Sequence, residues 1–531
     1  MRRALFALFG LSVVACGQGG PAATTDVAVS TLAASAPKPH ALLVGTHHGK
    51  KGAYATIQAA VDAARPGDWV LIGEGVYKEQ GAPDAGVLVT TPGIHLRGMD
   101  RNRVVVDGTK PGFDACSSEP AAQDFGPAGD GRNGVEVLKV DGVSVENLTA
   151  CNFIGNASGG NGNQIWWNGG DGSGQIGMGS YRGAYLTAST TWYDASVTSA
   201  AQYGIFVSNA KGPGTIERSY ASNMADSSFY VGACPDCNAV LRRVHAQNSA
   251  LGYSGTNAGG HLVLEDSEWD HNRSGILPSS LANDDPPSPQ DGACPEHPGR
   301  SCTLIQRNWV HDNDNPNTPA FGLTAGAPVG TGIDLSGGRN NTVRGNFIAH
   351  NGGWGILVND YPDPDMPRVP AWCDGGTPWY APPAPFDAIL GPVIPCYFHA
   401  TGNRVEGNVL VGNGGFGNPT NGDLANAALP SADTNCFRHN HDLHEAKPTT
   451  APAGLEDPSV AGTCGAPWNP DLGQVAELFL QVLCAAFGPA SGACTPGPGY
   501  PQPTTVALLP IPHEATMPDP CAGVPDNDWC D

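Results

Sequence analysis

The chain has 531 residues, with 27 basic against 50 acidic side chains and a formal net charge of −23. That balance argues against nucleic acid as a partner, and against direct capture of polyanions unless a cation bridges them. With 72 Gly and 47 Pro, long helices are excluded over most of the length.

The chain opens with Met1-Arg2-Arg3, an apolar run from Ala4 to Ala15, and Cys16. A basic start, a short apolar run and a small residue before the cut read as an export signal over residues 1–15, too short to span a bilayer. The four residues Val13-Val14-Ala15-Cys16 resemble the lipobox of bacterial lipoproteins, and that resemblance implies lipidation at Cys16. Of 15 cysteines, an odd number, the remaining fourteen suffice for seven disulfides in an oxidising compartment. Cys234 and Cys237, "CPDC", have no second CxxC and read as a local disulfide. The expected location is the cell envelope, with the membrane reached through the lipid alone. Residues 16–41, rich in Ala, Thr, Ser and Pro, read as a flexible tether.

Residues 54–79, "YATIQAAVDAARPGDWVLIGEGVYKE", predict one short helix with Ile57, Ala60, Val61 and Ala64 on one face, a Pro-Gly-Asp turn, and a strand over 69–72. Residues 93–109, "GIHLRGMDRNRVVVDGT", supply two more strands around Gly98. This pattern resembles the N-terminal cap of right-handed parallel β-helix proteins, the pectin-lyase-like fold. Beyond it an apolar anchor recurs at Gly204-Ile205, Phe229-Tyr230, Gly252-Tyr253, Gly275-Ile276, Gly332-Ile333 and Gly355-Ile356. Between anchors an asparagine returns at Asn223, Asn248, Asn272, Asn313, Asn351 and Asn413, with a second set at Asn147, Asn308, Asn346 and Asn408. Such periods mean one strand-and-turn unit per coil, stacked because it cannot bury its own core. Asparagine tolerates the left-handed turn and can bond its counterpart one rung away.

The fold expected is therefore all-β: a right-handed parallel β-helix over residues 42–415 with an N-terminal helical cap, long loop insertions, and a disulfide-rich capping region over 416–531. The insertions are placed at 157–202, 278–301, 314–330 and 359–400, where the spacing between asparagines stretches. A helix over 475–487 is expected to cover the last coil, with 495–520 extended.

Aligning coils on the asparagines yields columns. Six places before them stand Glu146, Glu217, Arg242, Asp266 and Arg307, which read as cross-strand ion pairs. One place before them stand Gln247, His271, Asp312 and His350, with Asp270 and His311 one column over. An imidazole–carboxylate–imidazole stack at about 5 Å steps can move protons or hold a metal, so His271, Asp312, His350, Asp270 and His311 are the candidate catalytic residues. The aromatics Trp166, Trp167, Tyr181, Tyr185, Trp192 and Tyr193, with Arg182, are candidate sugar-binding residues. Asp312, Asp314, Asp334 and Asp360 offer hard oxygen donors for Ca²⁺; the resemblance implies a Lys or Arg base, for which Arg273 and Arg339 stand nearest. His439, His441 and His444 read as a solvated turn. The catalytic sets of polygalacturonases and alginate epimerases are absent; Asp284-Asp285 lies in a Pro-rich loop.

The function expected is binding of a polysaccharide or cell-surface glycan in a groove bordered by 157–202 and 314–330, with cleavage of lyase or hydrolase type if the protein is an enzyme. The alternative is a non-catalytic surface or adhesion protein.

Overall fold

The structure, a computed structural model, describes residues 38–530 apart from 157–160, 197–198, 283–285, 323–325, 377, 431–433, 458–463, 465–467 and 495. The expected export signal, Cys16, most of the expected tether and Asp284-Asp285 lie outside the described residues.

Three parallel sheets of 12, 10 and 11 strands run the length of a solenoid, each complete coil giving one strand to each. The coil through Leu262–Glu265, Glu268–Asp270 and Ser274–Ser279 shows how the chain turns. Asp266, at φ 51°, makes the first corner and His271, at φ 52°, the second. A single residue in the left-handed region suffices to redirect a strand. Arg243 and Asn248 hold the same places one coil earlier, Arg307 and Asp312 one coil later, and His350 beyond them.

The interior follows from strand alternation. Leu241, Leu264, Ile305 and Val343 stack in the 12-stranded sheet. Ala246, Trp269, Val310 and Ile348 stack in the 10-stranded sheet, and Tyr253, Ile276, Ile333 and Ile356 in the 11-stranded sheet. All are buried in one continuous core.

Asparagine ladders line the corners, as expected, but their phase differs by one place. Asn272, Asn313, Asn351 and Asn413 form a ladder through side-chain amide bonds of 3.0–3.2 Å. Asn223 and Asn248 are instead left-handed corner residues, in register with His271; Ser249, not Asn248, is the neighbour that bonds Asn272. Asn308, Asn346, Asn408 and Asn440 form a second ladder, and Asn341, Asn403 and Asn435 a third. The same shift puts Glu265, not Asp266, in register with Arg242. Arg97, Glu146, Arg182, Glu217 and Arg242 form a chain of ion pairs along that outer face.

Two expectations change. Residues 157–202 are not one insertion, because Ile165–Asn168, Tyr181–Ala184 and Thr187–Ser189 make a full coil. The solenoid continues past 415 through Gly422–Asn426, Cys436–Arg438 and Thr450–Ala451. The helix Leu472–Phe487 packs on the first and last of these. Beyond it residues 501–530 run back along the solenoid without helix or strand. Ala507 and Leu509 bond Asn248 and Asn223, Glu514 bonds Asn102, and Trp529 packs on Leu71 and Met99 near the first coils.

At the other end the helix Ile57–Ala63 buries Ile57, Ala60 and Val61, its first N–H groups held by the Glu79 carboxylate. Seven disulfides pair all fourteen cysteines other than Cys16, Cys234–Cys237 among them. Among the described residues no helix is long and apolar enough to cross a membrane.

Candidate functional site

The outer face of the 10-stranded sheet carries two columns of polar and aromatic side chains. Register sets Tyr220, His245, Glu268, Trp309 and Phe347 side by side, and next to them Ser222, Gln247, Asp270, His311 and Ala349. The corner residues His271, Asp312 and His350 follow one place later.

Asp270 is the hub. It is 3% exposed and accepts hydrogen bonds from His245 Nε2 at 2.6 Å, His271 Nδ1 at 2.5 Å and Gln247 Nε2 at 2.8 Å. Burial alone would raise its pKa, but the bonds from His245 and His271 hold the carboxyl well below the usual range. The His271 imidazole is pushed up, chiefly by that bond. For His245, burial opposes the charged form, yet Asp270 and Glu268 outweigh it and its pKa is also raised. His311 joins the second pair of carboxylates, with Nδ1 2.7 Å from Asp312 and Nε2 3.2 Å from Glu268. Its ring stacks on Trp309 at 3.9 Å and meets His271 edge-on at 6.3 Å. Trp309 and Phe347 are 47% and 36% exposed, large apolar surface that a soluble face rarely shows in adjacent rungs. Burial and the neighbouring Asp312 push the Asp314 carboxyl up.

The structure thus brings together four of the five predicted catalytic residues, Asp270, His271, His311 and Asp312. His350 lies one coil on and is exposed, with Gly412 beside its ring. Gln247 is not in their corner column; it pairs with Asp270. Alignment on the wrong asparagine hid His245, Glu268, Trp309 and Phe347. Counting from the left-handed corner residue would have found them.

The predicted sugar-binding set is dispersed. Trp167 and Tyr181 point into the core, and Trp192 is buried against Ile154, Ala201 and Met224, so none of the three can meet a polymer. Arg182 belongs to the ion-pair chain on the 12-stranded face, and Tyr185 is a corner residue beneath Arg218. Tyr193 bonds the Ala320 carbonyl, so the two loops expected to border a groove touch each other there. Trp166 alone lies on the outer face of the 11-stranded sheet, stacked on Phe206 at 5.0 Å.

The four-aspartate calcium set is also corrected. Asp360 is saturated by Tyr397, His399 and the N–H groups of Ala400 and Leu429. Asp334 is 1% exposed on the 11-stranded sheet, and neither oxygen has a hydrogen-bond partner; burial pushes its pKa up to about 8. Asp312 and Asp314 lie at the corner of the 10-stranded sheet. Arg273 is no exposed base, since it donates to the carbonyl of Ala327 and to those of Ala485 and Ala486 at the end of the C-terminal helix. Arg339 ties Asp291 to Asp374.

Groups of three or more ligand-type side chains with donor atoms within 4.8 Å occur four times among the described residues. Asp107-Cys116-Cys151 and His261-Glu296-Cys302 use cysteines already in disulfides. His47-His48-Glu74 and His245-Glu268-Asp270 remain. The latter is part of the face just described.

Residues 183–363 match the family described as "Right handed beta helix region". No curated protein matches the chain. Among solved structures, the chain is similar to the A-module of mannuronan C-5 epimerase AlgE4 from Azotobacter vinelandii, 15% identical, covering 72% of this chain and 89% of that one at a TM-score of 0.43. It is similar to a GH136 lacto-N-biosidase from Eubacterium ramulus, 12% identical over 77% and 66% of the two chains at 0.40. It is also similar to an alginate lyase from Paenibacillus sp. str. FPU-7, 11% identical over 77% and 97% at 0.36. The strand topology and the match over the central coils make this chain a right-handed parallel β-helix protein.

Proposed function

We propose that the protein binds a polysaccharide along the outer face of the 10-stranded sheet and acts on it by acid–base chemistry. The observation that carries this reading is the exposed Trp309–Phe347 pair beside an ionised, buried Asp270 that holds two imidazoles. Aromatic faces offer sugar rings an apolar platform whose edges stay wet. Asp270 orients His271 through Nδ1, leaving Nε2 without a protein partner among the described residues. An imidazole so held takes or gives a proton near neutral pH. Proton abstraction from a sugar carbon, the first step of β-elimination, suits this pair. Glu268 and Asp312, on the two nitrogens of His311, supply the carboxylates that hydrolysis would use instead. Export and a lipid on Cys16 belong to the same proposal. They are supported by Val13-Val14-Ala15-Cys16 and by the density of disulfides.

Purified protein is incubated with a panel of acidic and neutral polysaccharides, with and without calcium, and unsaturated products and reducing ends are read. Product that is lost in His271→Ala, and affinity that falls about tenfold in Trp309→Ala, is the expected result. No product from any polymer, with binding retained, overturns the enzymatic part and leaves a glycan-binding surface protein. Activity unchanged in His271→Ala moves the chemistry elsewhere.

A further inference from the structure

Carboxylates on the solenoid exterior have partners of two kinds. On the 12-stranded face Glu146, Glu217, Glu265 and Glu406 each pair with an arginine. On the 10-stranded face the only charged partners of Glu268 and Asp270 among the described residues are histidines. Two carboxylates this close without a Lys or Arg leave negative charge for another cation to compensate.

We propose that His245, Glu268 and Asp270 bind a divalent first-row transition ion, of the Zn²⁺ or Mn²⁺ class. His245 Nε2, one Glu268 oxygen and one Asp270 oxygen lie within 4.8 Å of one another. Ligands about 2.0–2.1 Å from a tetrahedral ion stand about 3.3 Å apart. His245 Nε2 and Asp270 Oδ1 are already 2.6 Å apart, so small side-chain rotations admit the ion in place of the shared proton. The three ligands come from two adjacent strands, His245–Gln247 and Glu268–Asp270, whose spacing the ladder fixes. Supporting hydrogen bonds are in place as well: His271 and Gln247 bond the other Asp270 oxygen, and His311 bonds Glu268. Such outer partners orient metal ligands and sharpen their basicity. The Glu268 and His245 side chains are 37% and 32% exposed, so the ion would keep an open position for water or substrate on the side of Trp309. One imidazole with two carboxylates suits a borderline ion, whereas calcium takes six to eight oxygen ligands that this face does not supply. The site deepens the proposed function by giving that face a Lewis acid, but ion binding does not depend on it.

The full-length protein is stripped with chelator, exchanged into buffer, and titrated calorimetrically with ZnCl₂, MnCl₂ and CaCl₂, with cobalt(II) absorption as a second readout of geometry. Expected is one Zn²⁺ that binds more tightly than Mn²⁺ and is weakened at least tenfold in His245→Ala and in the isosteric Glu268→Gln. Calcium binds weakly or not at all, and His47→Ala, at the other His–Glu group, keeps the affinity. No Zn²⁺ binding overturns the proposal. So does binding that survives in a folded Glu268→Gln variant but is lost in His47→Ala. An ion bound here by a protein that processes no polysaccharide sinks the proposed function alone. Polysaccharide turnover by protein that binds no ion sinks the metal site alone.

Discussion

Replacing Asp334 by leucine should stabilise the protein, and by an amount that grows with pH. Asp334 pairs in register with Leu357, and Leu277 follows Ile276, the partner of Ile333, on the preceding strand. It is 1% exposed and neither carboxylate oxygen is hydrogen-bonded. Burial raises its pKa from 3.8 to about 8. In the unfolded chain the proton leaves near pH 4, while the folded protein keeps it until about pH 8. Across that window the unfolded state binds fewer protons, so stability falls as pH rises. At ~1.4 kcal/mol per pH unit the loss is of order 5 kcal/mol by pH 8, set against a small gain from removing an unpartnered carboxyl at pH 4. Urea unfolding of wild type and Asp334→Leu, followed by circular dichroism from pH 4 to 9, measures the difference. The two should diverge steadily with pH, with the variant above. Parallel profiles, or a variant less stable at pH 8, would mean that the carboxylate is ionised and partnered in the folded protein, and the burial argument would fail.

The Asp270→Asn variant removes the group that raises the His245 and His271 pKa values, so the acidic limb of any pH–activity profile should move to lower pH; an unmoved limb would detach His271 from the chemistry. The same variant should lose stability most between about pH 4 and pH 6.5, where both contributions are complete. The depressed Asp270 carboxyl stabilises the fold above its unfolded value and ceases to do so only as pH falls through its lower folded value. The contribution of the raised histidines is complete below about pH 6.5 and is lost as pH rises through their folded values. Asn313→Ala empties a ladder rung that bonds Asn351 and the Trp269 carbonyl, leaving buried groups unpaired at a cost of about 1–3 kcal/mol, readable as a lower urea midpoint.

Much of the fold was legible because its causes are local. The returning Asn and Gly mark corners where one residue must turn left-handed, the alternation inside short apolar runs marks an interior, and the helix at Ile57–Ala63 shows its buried face in its own spacing. The site was legible only in part. Asparagine serves two adjacent roles, left-handed corner at Asn223 and Asn248 and internal ladder from Asn272 onward. An alignment that merges them slips by one residue. On a strand a one-residue slip exchanges inside for outside, and that slip hid His245 and Glu268 and admitted Gln247. The coil within 157–202 was masked by glycine-rich connections. Bulky aromatics on both faces of Ile165–Asn168 gave no cue that Trp167 turns in and Trp166 out.

By itself the sequence determined the solenoid, the number of disulfides, the acidic exterior and the residue types that crowd the 10-stranded face, since each follows from composition or from contacts a few residues apart. The tertiary structure decided which of those residues meet. Asp270 finds His245 because two strands adopt one register, and His311 reaches Glu268 across a separation of 43 positions. The C-terminal segment lies along the first coils through bonds between residues more than 400 positions apart, Asn102 to Glu514 among them. Those distances are set by stacking, and no local pattern carries stacking register.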